Sequence, residues 1–170
     1  MKPKQEMVAG IINDIRRLFQ VLNEQSRKIE CETSLTGSQL WAIKILEEES
    51  PLKVTELARK MYLHPATMVG LLDRLESKGL VKRVRSEHDR RVVHICLTEQ
   101  GRETVEGSPE VVQDLLAKGL EVNSEQKLEK IMDGMECIIT ILGLKDVPPK
   151  MIISSVLNLP KRRKKVVEVS

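Results

Sequence analysis

Along the first part of the chain, apolar residues recur at the three- and four-residue intervals of a helix. Val8, Ile11, Ile12, Ile15, Leu18, Phe19 and Leu22 mark one long helix over residues 6–29. Its apolar stripe is long and calls for a partner. Thr36-Gly37-Ser38-Gln39 then fits a capping box, with Thr36 as N-cap and Gln39 reaching back. Leu40, Ile43 and Leu46 follow at helical spacing until Pro51 ends the run. A short helix comes next, with Thr55 expected as its N-cap and Leu57, Ala58 and Met61 facing inward. His64-Pro65 opens another, since proline at the first helical position costs no hydrogen bond. Met68, Leu71, Leu72 and Leu75 form its apolar face, and Gly79 stands where a left-handed terminal residue is wanted. Residues 55–79 therefore predict helix, tight turn, helix.

The texture changes at Leu80. Val81 and Val84, then Val92, Val93, Ile95 and Leu97, are strand-like and bracket a charged stretch from Arg85 to Arg91. Two strands around a charged tip make a hairpin, and a hairpin directly after a helix-turn-helix is a wing. Thr98 is the N-cap candidate for a helix from Glu99 to about Gly119, with a kink or break expected at Gly107-Ser108-Pro109. Ser124 is expected to cap the next helix, whose face carries Leu128, Ile131, Met135, Ile138, Ile139 and Leu142. Pro148-Pro149 reads as a linker, residues 152–159 as a short helix, and the end as a basic tail. The predicted fold class is mainly α with a small β-hairpin wing, an α+β arrangement. The expected division is a helical dimerisation region (1–34 and 99–144), a winged helix-turn-helix module (35–98) and a C-terminal extension (145–170).

Aromatic residues make up only 2% of the chain, so the core must be aliphatic, which favours helix on helix over a sheet sandwich. The formal net charge is +3, but it is unevenly placed. Between Arg59 and Arg91, nine Lys and Arg stand against four acids, and residues 161–165 add five further cations. The remainder is net acidic, a distribution that fits a phosphate-facing patch. Three widely spaced cysteines form no metal or redox motif, which fits a reducing cytoplasm. The first residues hold no apolar signal core and no run is long enough to cross a membrane, so a cytoplasmic location is expected. No nucleophile–base pair, paired carboxylates, phosphate-cradling loop or metal set is visible, so the chain reads as a non-enzyme without cofactor or metal.

Several separated motifs resemble the MarR family of bacterial transcription regulators: Leu35-Thr36 with Gln39-Leu40, Thr55-Glu56-Leu57-Ala58, Leu72-Asp73-Arg74-Leu75-Glu76, Lys78-Gly79-Leu80-Val81, Arg83, Asp89-Arg90-Arg91, and Leu97-Thr98 with Gly101. They stand in the family's order and spacing over residues 35–105. The resemblance implies a triangular homodimer in which the first and last two helices interlock, with recognition helices entering successive major grooves of a pseudo-palindrome. It further implies a regulator, usually a repressor, released by a small phenolic or aromatic effector or by cysteine oxidation.

On the recognition helix the outward residues are Pro65, Ala66, Thr67, Val69, Gly70, Asp73 and Arg74. Small side chains there admit close approach to base edges, and the methyls of Ala66, Thr67 and Val69 suit thymine methyls. Some relatives carry Thr-Arg where this chain has Val69-Gly70, so more of the specificity is expected from DNA shape. At the wing, Arg90 or Arg91 suits the narrow minor groove, with Asp89 holding one of them. In the family that role falls to the pair matching Asp89 and Arg91. Lys82, Arg83 and Arg85 are expected on phosphates. His64 is read as a turn residue, His88 as a wing-tip residue, and His94 as core or phosphate-facing. Trp41, Ile11 and Ile15 either line an effector cleft or are plain core, and no effector pocket is assigned. Cys31, Cys96 and Cys137 are read as small buried hydrophobes. A cysteine-based redox switch and a winged-helix protein-interaction module are the alternatives.

Overall fold

A computed structural model describes residues 3–86 and 92–147 of the chain. Among the described residues there are seven helices and three strands. The first helix, α1 (Lys4–Thr33), closes on Ser34, which adopts a left-handed conformation and donates its N–H to the Glu30 carbonyl. Thr36 then starts α2 (Gly37–Glu49) with the expected reciprocal box. Its hydroxyl accepts from Gln39 N–H at 3.3 Å, while Gln39 Oε1 accepts from Thr36 N–H at 3.0 Å.

Next comes β1 (Leu52–Lys53), a two-residue strand that the alternation of apolar residues did not signal. It pairs Leu52 with Ile95 and Lys53 with His94, which holds residue 53 extended. The following helix, α3 (Val54–Lys60), therefore begins earlier than expected. Thr55 lies inside it and is not its N-cap, a position taken by Lys53, whose backbone N–H donates to Glu56 Oε2 at 2.9 Å. The next helix, α4 (Pro65–Ser77), opens as expected at His64, whose Nδ1 accepts from Ala66 N–H at 3.3 Å. It ends in a reciprocal pair of bonds, Gly79 N–H to Glu76 O and Leu80 N–H to Leu75 O. Gly79 takes φ +72° there, the left-handed turn that glycine enters without strain.

The hairpin strands β2 (Val81–Arg85) and β3 (Val93–Leu97) pair antiparallel, and β3 is central in the order β1-β3-β2. Thr98 caps α5 (Glu99–Val105) by accepting from Gly101 N–H at 3.0 Å. The chain breaks at Gly107, as expected, before α6 (Val112–Glu121) and α7 (Glu125–Ile141). Ser124 occupies the N-cap position of α7, but its side chain makes no capping bond among the described residues.

The core is aliphatic, as the scarcity of aromatics required. Leu40, Ile43 and Leu46 of α2 meet Leu57 of α3, Met68, Leu71, Leu72 and Leu75 of α4, and Ile95 of β3. Val105 and Val111 join the same core, so the packed unit runs on through α5. The other helices behave differently. Ile29 is the one buried residue of α1, and α6 and α7 have none. Ile11, Leu18 and Phe19 of α1, Leu115 and Leu116 of α6, and Met132, Met135 and Ile141 of α7 stand open on a single chain. Among the described residues no helix is long and apolar enough to cross a membrane.

Candidate nucleic-acid interface

Helix α4 rests on the core through Met68, Leu71, Leu72 and Leu75, each almost fully buried. The helical period then turns Pro65, Ala66, Thr67, Val69, Gly70, Asp73 and Arg74 outward, and all seven are exposed. A methyl group added at Gly70 would meet nothing within 4 Å among the described residues. The fold therefore does not require glycine there. The result is a low, smooth helix surface whose N-terminal amides are anchored by the His64 cap.

Arg83 joins this helix to the hairpin. Its guanidinium reaches Asp73 Oδ1 at 2.6 Å and Glu76 Oε2 at 2.5 Å, and its own backbone N–H donates to Glu76 Oε1 at 3.3 Å. The hydrogen bond to Asp73 is the main cause that raises its pKa above the ordinary arginine value, with the charges of Glu76 and Asp73 adding to it. Arg83 stays cationic at any ordinary pH, and two carboxylates of α4 already engage it. This geometry makes Arg83 a brace between the hairpin and α4.

The strand period separates the other two cations. Val81, Arg83 and Arg85 point to one face of the hairpin, Lys82 and Val84 to the other. Lys82 lies across from Cys96 and Val84 from His94, and Lys53 of β1 continues that second face. Lys82 and Arg85 are exposed, and His94 is half-buried on the sheet's outer side. Ser86 N–H donates to Val92 O at 2.9 Å and closes the hairpin's described part. His88, Asp89, Arg90 and Arg91 lie outside the described residues, as do Pro148-Pro149 and everything after them.

The reading of the cysteines as buried is overturned in the single chain. Cys31 and Cys137 are exposed and Cys96 is half-buried, because two of them lie on helices with almost no buried face. Ile11 is exposed as well and is not core, whereas Trp41 is buried. Trp41 Nε1–H donates to Asp114 Oδ1 at 3.0 Å, and Lys118 binds the other oxygen of that carboxylate at 2.8 Å. Asp114 is the leading cause that raises the Lys118 pKa. The recess beside this pair is lined by Lys44, Glu47, Glu48 and Glu110, so its character is acidic, not aromatic.

Several tertiary contacts besides the Trp41–Asp114 bond escaped the sequence reading, three of them at the module's helices and hairpin. Lys78 Nζ donates to Ser34 O at 3.2 Å, Tyr62 donates its hydroxyl to Glu121, and Arg83 takes the pair of carboxylates described above. Each spans at least seven positions, beyond the reach of local spacing rules.

A family model described as the MarR family matches residues 35–93. The chain is 31% identical over 101 residues to the HTH-type transcriptional repressor MdtR of Bacillus subtilis (strain 168), which covers 59% of this chain and 65% of that protein. It is 33% identical over 101 residues to the uncharacterised HTH-type transcriptional regulator YsmB of the same organism, covering 59% of this chain and 69% of that one. The match thus spans just under two thirds of MdtR and just over two thirds of YsmB. Among solved structures, Streptococcus pneumoniae FabT in complex with DNA aligns over 82% of this chain and 98% of its own, at a TM-score of 0.53 and 21% identity. That likeness is one of fold.

Proposed function

The chain belongs to the MarR family, and from that membership we propose that it is a DNA-binding transcription regulator working as a homodimer. The observation that carries the reading is the outward face of α4. A helix fully supported by its own core presents small side chains from Pro65 to Gly70, and the Arg83 brace locks it to a cationic hairpin. Backbone and methyl groups on such a surface can approach base edges in a major groove. Lys82 and Arg85, with Arg74 on the helix, neutralise phosphates and set affinity and salt dependence. Asp89, Arg90 and Arg91 complete the wing's minor-groove contact in this reading.

The dimer rests on the apolar stripes of α1, α6 and α7. Exposed patches of that extent on one chain mark an association surface, and two-fold symmetry places two reading heads on a pseudo-palindromic site. Repression is the sense proposed, in keeping with the name of MdtR, and a small-molecule effector acting between the arms and the winged module would release the DNA. The solvent exposure of Cys31 and Cys137 favours a second reading, oxidative release, which Cys→Ser variants and peroxide would separate from the first.

The test is enrichment of duplexes from a random pool, followed by sedimentation of the protein with and without the selected site. The expected result is a pseudo-palindrome bound by two chains. Failure to enrich any sequence, with binding only at low salt, would leave the protein-interaction reading in its place.

A further inference from the structure

Helix α6 meets the DNA-reading unit through little apolar surface. None of its residues is buried, Ala117 alone of its apolar residues packs on the core, and Leu115, Leu116 and Leu120 face away. Two polar ties hold it instead, one near each end. Asp114, in the first turn, accepts from Trp41 of α2 and is steadied by Lys118. Glu121, the last residue, accepts from the Tyr62 hydroxyl. Seven residues of helix separate the ties, about 10 Å along the axis. A rod fixed at one point can swing, whereas a rod fixed at two cannot.

The second tie sits at a telling place. Tyr62 forms the turn between α3 and α4, two residues before the His64 cap of the recognition helix. Its N–H donates to Arg59 O and the N–H of Leu63 to Ala58 O, the same reciprocal closure that Gly79 provides for α4. At this closure φ is +53°, a conformation that glycine adopts freely and tyrosine does not. Burial does not explain the tyrosine, because it is 63% exposed. A residue strained at a junction and reaching a distant carboxylate points to a role beyond the turn.

We propose that Tyr62 and Glu121 are positioning residues that fix the angle between the dimerisation arm and the recognition helix, and thereby the half-site spacing that the dimer accepts. The inference rests on the DNA-binding reading and deepens it. Bonding to Glu121 is also the first cause that raises the Tyr62 pKa above its usual value of 10.0. Tyr62 is the only tyrosine, so phenolate absorbance reports this tie alone.

The experiment uses the full-length dimer and the duplex it selects from a random pool, together with versions lengthened by one and two base pairs between half-sites. Wild type is expected to discriminate sharply against the longer sites. Tyr62→Phe removes the hydroxyl, Glu121→Ala the acceptor, and Tyr62→Gly both the tie and the backbone strain. Each is expected to shrink the spacing penalty about five- to tenfold, the size of a typical coupling between sites. Tyr62→Gly should do so without loss of thermal stability, which separates positioning from folding. Glu121→Gln keeps an acceptor and should restore the wild-type ratio, and Glu121→Ala should lower the phenolate midpoint. Unchanged spacing ratios in Tyr62→Phe and Glu121→Ala, with wild type still binding, would overturn this inference alone. A wild-type protein that selects no duplex would overturn the DNA-binding reading and this one together.

Discussion

The winged module and the helical arms use the same kind of residue with opposite results. On α4, Leu72 is 0% exposed; on α1, Leu18 is 54% exposed, and on α7, Ile141 is 77%. All three belong to amphipathic helices. In the module, α2, α3, α4 and the sheet surround one another, so each apolar face finds its cover within the chain. In the arms, each stripe faces outward with nothing from its own chain opposite. One chain therefore completes the packing of the module, while under the proposed homodimer a second would complete the arms. Burial is the dominant favourable term in the module, and in the arms the proposed association would supply it.

The largest expected effect tests that division directly. Ile12→Glu with Leu116→Glu places two charges where an apolar interface would desolvate them. The sedimenting species should fall from dimer to monomer. DNA affinity should fall about 100-fold or more, since two linked heads become one. The module's own unfolding transition should survive. A wild-type protein that already sediments as a monomer would remove the basis for the comparison.

Next in size is a contrast between glycines. A methyl group on Gly101, in α5, would lie 2.3 Å from the Leu80 carbonyl oxygen and 2.6 Å from Leu97 Cδ1. Neither a backbone carbonyl nor a packed leucine gives way easily. Gly101→Ala should thus destabilise the module by about 3 kcal/mol, the upper range for an overpacked core. Gly10 and Gly134, on the arms, have open space within 4 Å among the described residues. Alanine there should stabilise each helix by about 0.5–1 kcal/mol. Equal responses in urea unfolding at the three sites would mean that the module is looser than its packing implies.

Lys82 and Arg83, adjacent cations on β2 with opposite facing, should respond differently. Arg83→Met frees Asp73 and Glu76 and unties the wing from α4, so affinity should fall about tenfold. The slope of affinity against salt should stay nearly the same, because two carboxylates of α4 already engage the guanidinium. Lys82→Met should produce a smaller loss with the slope reduced by about one. If Arg83→Met flattens the slope instead, the phosphate role expected from sequence is restored.

Much of this was legible in the sequence because it is local. The Thr36 box, the His64-Pro65 start, the Gly79 stop and the break at Gly107 depend on neighbours within four residues, and each lies where spacing put it. The outward set from Pro65 to Arg74 follows from the helical period alone. What escaped depends on distant partners. A two-residue β1 has no period to detect and exists only because β3 lies alongside. That pairing in turn displaced the cap expected at Thr55. Arg83 looked like any wing cation until the fold placed it beside α4. The cysteines followed the average behaviour of their type, which fails on helices without a buried face in the single chain.

The smallest effect reaches the same contrast through helix caps. Thr36 and Ser124 occupy equivalent N-cap positions, and both residue types are good caps. In the module, the Thr36 hydroxyl accepts from Gln39 N–H, and Gln39 returns the bond to the Thr36 amide. In the arm, the Ser124 side chain makes no such bond among the described residues; its carbonyl accepts from Lys127 and Leu128 N–H, both at 3.0 Å. Thr36→Ala should cost about 1 kcal/mol in a urea titration of the whole protein, whereas Ser124→Ala should shift it by a few tenths at most. If Ser124→Ala proves as costly as Thr36→Ala, α7 is capped in the dimer in a way the single chain does not display. The arm's geometry would then be completed by the partner down to its helix ends, and association would order local structure as well as bury apolar surface.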